Sequence, residues 1–185
     1  LIGMGAKPRL DVIKALESGK LSEGQETWAA WALGRMPGWP SDAEYAFGKW
    51  SKPGARVSLN LRVQSVRIWG ESGEIKAFKY VAARLDDKEP RVRFAAALAL
   101  RNLKELERGA EQPLVQALSS ETDRVTFYAQ WHTLRSMLTV EERRKYLVDK
   151  RGRVRLGALL SLLEEDALDK LDLTGHTALV TGGNS

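Results

Sequence analysis

The chain of 185 residues has no cysteine at all, and only two histidines. The first absence excludes disulfides, thiolate metal sites, cysteine nucleophiles and covalent haem attachment within this segment. The second leaves little material for a histidine metal site or a serine–histidine triad, because His132 and His176 have no histidine partner at ligand spacing. No catalytic set, metal site or cofactor site is therefore expected. Long apolar runs are also missing. None approaches the roughly 18 residues that cross a bilayer, so no membrane insertion by this segment is expected. Runs of alternating β-branched residues are absent before Thr177.

What the chain does contain is a phrase repeated five times. Its clearest copy is Val92-Arg93-Phe94-Ala95-Ala96-Ala97-Leu98-Ala99-Leu100-Arg101-Asn102-Leu103. Copies start at Gln25, Leu61, Val92, Val125 and Val154, a period near thirty residues. The fourth diverges most, with Gln130, His132 and Thr133 at positions that are small or apolar elsewhere. Positions one, five, eight, nine and twelve fall on one helical stripe. A first helix should precede each copy, at Pro8–Ser18, Asp42–Trp50, Glu74–Leu85, Glu111–Leu118 and Val140–Asp149. Ser22 with Gln25, Ser41 with Glu44 and Thr139 with Glu142 have the spacing of capping boxes. Pro90 suits a first helical turn. Gly19, Gly34, Gly70 and Gly109 are expected at helix ends.

The pattern resembles HEAT repeats over roughly residues 8 to 165. The resemblance rests on Val92-Arg93 with Ala96, Ala97, Ala99 and Leu100, echoed at Ala29-Ala30 with Ala32-Leu33-Gly34 and at Val154-Arg155 with Leu162. It implies an all-α fold, an α-α superhelix of about five helical pairs, over residues 1–170. Residues 171–185 form a tail or the start of a following segment. The phrases Trp31-Ala32-Leu33-Gly34, Val63-Gln64-Ser65-Val66-Arg67 and Asp86-Asp87-Lys88-Glu89-Pro90-Arg91-Val92-Arg93 are similar to one HEAT segment in particular. It is that of large exported bacterial proteins joining a dehydrogenase-like propeller to a c-type cytochrome domain. That resemblance would imply a spacer or docking role and an exported location; without it the location is cytoplasmic. The chain begins at Leu1, which points to a fragment. The tail from Leu173 to Ser185 looks like the opening strand and glycine turn of a short-chain dehydrogenase, but the rest of that family's machinery does not follow.

Positions four, seven and eleven share one face of each second helix, which lines the concave surface in HEAT arrays. They give Trp28, Trp31 and Arg35, then Gln64, Arg67 and Glu71, then Ala95, Leu98 and Asn102. The fourth and fifth copies give Tyr128, Trp131 and Arg135, and Gly157, Leu160 and Glu164. Aromatic and arginine side chains are enriched where binding energy concentrates. The candidate partner-binding set is therefore Trp28, Trp31, Arg35, Gln64, Arg67, Tyr128, Trp131 and Arg135. The competing reading makes Trp31 and Trp131 packing residues. Arg62, Arg93 and Arg155 recur at position two and are expected to pair with turn acids such as Asp86, Asp87 and Asp149, as in HEAT arrays. The alternative is phosphate binding. The run Arg143, Arg144, Lys145, Lys150, Arg151, Arg153 and Arg155 is interrupted by acids and reads as a solvated face. Trp39 in the Pro37–Pro40 loop should plug a gap between helices.

The net charge of +5 permits acidic proteins or nucleic acid as partners. Three functions are weighed. The first is a non-enzymatic scaffold binding a protein or a neighbouring domain. The second is a nucleic-acid-binding protein akin to the HEAT-like DNA glycosylases. The third is an accessory lyase akin to the HEAT-like bilin lyases. The first is expected.

Overall fold

The computed structural model describes residues 6–36, 41–74, 76–103 and 108–170. They form five successive helical pairs: α1 (Ala6–Glu17) with α2 (Glu23–Gly34), α3 (Ser41–Trp50) with α4 (Leu59–Glu71), and α5 (Ala77–Ala82) with α6 (Pro90–Leu103). The last two are α7 (Glu111–Ser120) with α8 (Arg124–Met137), and α9 (Val140–Lys145) with α10 (Gly152–Lys170). No strand occurs among the described residues. The expected all-α solenoid is the architecture found. Trp39 and the tail from Leu173 lie outside the described residues.

Local signals account for most boundaries. Ser22 and Thr139 form the expected capping boxes with Gln25 and Glu142. Ser41 instead is the first residue of α3, and Glu44 bonds Lys76 of the next pair. Helix α5, Ala77–Ala82, is shorter than the expected Glu74–Leu85, and Lys76 supplies no side-chain cap at its start. The stretch 140–149 breaks into α9 and a 3-10 turn, Tyr146–Val148.

Second helices stack in order, α2 on α4, α4 on α6, α6 on α8, while each first helix covers its own partner. The repeat phrase explains the core. Val92, Ala96, Leu100 and Leu103 are all within 1% of complete burial. Each such Val or Leu contributes about 1.5–3 kcal/mol. Trp69 stacks on Tyr80 with ring centroids 4.7 Å apart, locking α4 to α5.

The glycines at position ten stand at helix ends, as expected, but they also do more than end helices. Gly70 lies in the last turn of α4, and a Cβ built there would sit 2.5 Å from the Ala99 Cβ and 2.7 Å from its Cα. A Cβ on Gly34, the last residue of α2, would meet Ile68 at 2.5 Å. These glycines exist so that neighbouring second helices can touch backbone to side chain. Gly19, by contrast, is a true stop, with φ of +68° just after α1.

Two of the three arginines at position two pair with an acid as expected, and that acid comes from the following repeat's turn. Buried Arg62 bonds buried Asp87. Arg93 grips Glu121 through two bonds of 2.7 and 2.8 Å, and also donates to the Asp87 carbonyl. Burial pushes the Glu121 carboxyl up. The Arg93 bonds and the Asp123 and Thr122 amides together hold it below the ordinary carboxylate range. Arg155 donates to the Asp149 carbonyl at 2.7 Å.

A candidate docking groove between the last two second helices

The close packing of second helices ends at α8. Where α4 and α6 present Gly70 and Ala99, α8 carries Tyr128, Trp131 and His132. Gly157 lets the start of α10 approach: a Cβ there would meet Leu118 at 2.8 Å and the Trp131 Cβ at 3.2 Å. Beyond it the helices stand apart. A groove of about 1100 Å³ opens between them, walled by Val125, Tyr128 and Trp131 on one side and Leu156, Leu160 and Leu163 on the other. Arg124 and Arg153 stand along it, as does Glu164. A smaller groove of about 440 Å³ runs beside α4, α6 and α8, lined among others by Arg67, Arg91, Phe94 and Leu98. Both grooves include Val125, so they adjoin.

The α8 wall is an aromatic cluster. Tyr128 meets Trp131 edge-on at 5.2 Å, and Trp131 stacks on His132 at 4.0 Å. Burial lowers the His132 pKa below its ordinary value. Glu164 opposes this, and Arg135 and Arg101 reinforce it. Although Glu164 lies 3.5 Å from Nε2, the imidazole is thus neutral at neutral pH and the contact is no ion pair. The buried Nε2 makes no hydrogen bond. Arg135 braces the groove's far end, 2.6 Å from Glu164 and 3.7 Å from Glu165.

The predicted face is split in two. Trp31 is half-buried and donates from Nε1 to Gln64 at 3.0 Å, while buried Gln64 donates to Asn60 at 3.2 Å. The Arg35 guanidinium lies 5.3 Å over the Trp31 ring and 3.7 Å from Glu71. These residues latch α2 to α4. Trp28 projects nearby, 79% exposed, with no groove beside it among those described. Arg67 lines the smaller groove. Only Tyr128 and Trp131, of the eight, wall the large one, with Arg135 at its end. Sequence reasoning missed Val125, Leu156 and Leu163 as surface residues and Arg124 and Arg153 as their flank. The available signal was Leu156, Leu160 and Leu163, an i, i+4, i+7 stripe on the last second helix. The basic run departs in part from the expected solvated face: Arg143 is buried against Glu165 and Ser161, while Arg151 pairs with Asp149 and Arg144, Lys145, Arg153 and Arg155 are exposed. Among the described residues no three His, Asp or Glu side chains gather as a metal site.

Fold and surface together define a HEAT-like helical-repeat protein with one apolar groove near its last pair. No family model and no curated relative matches the chain. Among solved structures it is similar to the complex of CpcE and CpcF of phycocyanin lyase from Nostoc sp. PCC7120. The TM-score is 0.57 at 24% identity, covering 92% of this chain and 70% of that one. The likeness establishes the shared helical-repeat fold. It also corrects the expectation of a non-enzymatic protein. A chain of this fold belongs to a lyase complex, so the shortage of histidine and cysteine is no argument against an enzymatic role. The likeness does not show the resemblance to the dehydrogenase–cytochrome proteins.

Proposed function

We propose that the chain is a protein-interaction subunit of a lyase-type assembly, holding its partner along the groove between α8 and α10. One observation carries this reading: Val125, Tyr128, Leu156 and Leu163 are 45–62% exposed and all face one groove. Isolated exposed apolar residues are ordinary, but a contiguous patch of them marks an interaction site. The likeness to a complex of two chains supports it. A second reading is favoured by the aromatic wall and the two arginines at the groove. They would suit a flat conjugated acid such as an open-chain tetrapyrrole, with rings against Tyr128 and carboxylates on Arg124 and Arg153.

The test replaces Tyr128 with a photo-activatable phenylalanine analogue in cells that express the chain. Irradiation should give an adduct with a second polypeptide, and the same probe at exposed Lys79 should give none. Absence of a polypeptide adduct at Tyr128 would sink the interaction reading. Absorbance titration with biliverdin tests the second reading. A red shift lost in Arg153→Glu supports it, and an unchanged spectrum removes it.

A further inference from the structure

We infer that the partner segment is an acidic amphipathic helix, seated with its apolar stripe on the groove leucines and its carboxylates on the flanking arginines. This rests on the protein-interaction reading above and adds the chemistry of the partner. Four cations stand along the two adjoining grooves: Arg67 and Arg91 on the smaller, Arg124 and Arg153 on the larger. None carries an ion pair among the described residues, and Arg153 instead lies 5.7 Å over the Phe127 ring. The buried and part-buried arginines Arg62, Arg93, Arg135 and Arg143, by contrast, each meet a carboxylate. The acids on this face are already engaged. Asp123 accepts the Thr126 amide at 2.8 Å as the cap of α8, and Glu164 is held by Arg135. The face therefore presents an apolar floor between cations that lack counter-charges.

A helix is the fitting occupant because its anchors at i, i+3, i+4 and i+7 match an open trough between two helices. Acidic flanks are required because unpaired arginines facing a basic helix would repel it. Nucleic acid would use the same cations, but the floor between them is Leu98, Val125, Leu156 and Leu163, which offers phosphates and sugars nothing. Single strands are held by stacking successive bases on several aromatic platforms, and here Trp131 is buried, which leaves Tyr128 as the one exposed ring among the described residues lining the groove.

The test uses the full chain and synthetic labelled peptides of about 18 residues, roughly 27 Å as helices. One carries a leucine stripe flanked by glutamates. A second has lysines for the glutamates, and a third has serines for the leucines. Fluorescence anisotropy should show the Leu/Glu peptide binding at least about tenfold tighter than either control, and weakening as salt rises. The paired variant Arg124→Glu with Arg153→Glu, both exposed positions, should reverse the order of the Leu/Glu and Leu/Lys peptides while circular dichroism stays unchanged. Equal binding of those two peptides would overturn the inference. So would a Ser/Glu peptide or single-stranded DNA that binds as tightly as the Leu/Glu peptide, or no binding of any. The photo-adduct at Tyr128 separates the two failures: an adduct with a polypeptide, without the peptide preference, removes the acidic helix and leaves the interaction module standing.

Discussion

The α4–α6 contact and the α8–α10 contact join equivalent parts of successive repeats, yet one is shut and the other gapes. Between α4 and α6, Gly70 faces Ala99 so closely that no added atom fits. Between α8 and α10, the rings of Tyr128 and Trp131, with His132 stacked behind Trp131, face a row of leucines across about 1100 Å³. The helices are of the same kind. What differs is side-chain volume at a few positions. Small residues permit ridges to sink into grooves, and large ones hold the helices off. The repeat thus builds stability where its phrase is kept and a surface where it is broken.

The largest effect that could break this contrast comes from the ionic links. Asp87 and Arg62 are buried together, so Asp87→Ala leaves a buried guanidinium without its counter-charge. It should cost about 3–5 kcal/mol in urea denaturation. Glu164→Ala removes a partly exposed link in the open region and should cost about 1 kcal/mol or less. Equal losses would mean that the open contact is as structural as the closed one.

The glycines sharpen the same contrast at smaller scale. Gly70→Ala must displace the Ala99 backbone, and should cost about 3 kcal/mol. Gly157→Ala meets the flexible end of Leu118 first, which can turn aside, and should cost about 1 kcal/mol. Thermal melts of the two variants measure the difference. If Gly157→Ala is the more damaging, α10 is clamped as tightly as α6, and the groove is not a consequence of loose contact.

These contrasts also show how far the sequence was readable. The repeat phrase defined five helical pairs, and both observed capping boxes stood in plain view at Ser22 and Thr139. The arginine at position two pointed to a turn acid, which is found for Arg62 and Arg93 but not for Arg155, which meets only a carbonyl. What stayed hidden was which exposed face is continuous. Periodicity assigns a residue to a side of its helix but not to a distance from the next one. Trp31 and Gln64 therefore looked like surface until their 3.0 Å bond tied them together. The groove had a trace in the fourth copy, the most divergent one, which carries the bulky Tyr128 and Trp131. That departure reads as mere divergence until helix spacing is known. Leu156 and Leu163 were legible as a stripe, but in the third copy the comparable Phe94 and Leu98 are less exposed, lying in the smaller groove beside α8. Only the three-dimensional order of the pairs shows that no further helix covers this one among the described residues.

The smallest effect expected is a pH dependence confined to the open contact. His132 is held neutral mainly by burial, so its folded-state pKa lies below the ordinary imidazole value of about 6.5. The unfolded chain then binds the proton more readily than the folded one. Stability is fully present above the ordinary value. It declines as pH falls through the window below it, and the loss is complete once the folded-state imidazole is also protonated. The charged ring would sit beside Arg135 and Arg101, with Glu164 offsetting part of the repulsion. His132→Gln keeps a polar side chain of similar reach but cannot titrate. Its denaturation midpoint should therefore change less between pH 7 and about 5 than that of the unaltered chain. Hydrogen exchange should place the acid-induced loosening in α8 and α10, while α4 and α6 stay protected. Loosening spread evenly over all four helices would show that the two contacts melt as one unit, and the division between closed and open regions would lose its energetic meaning.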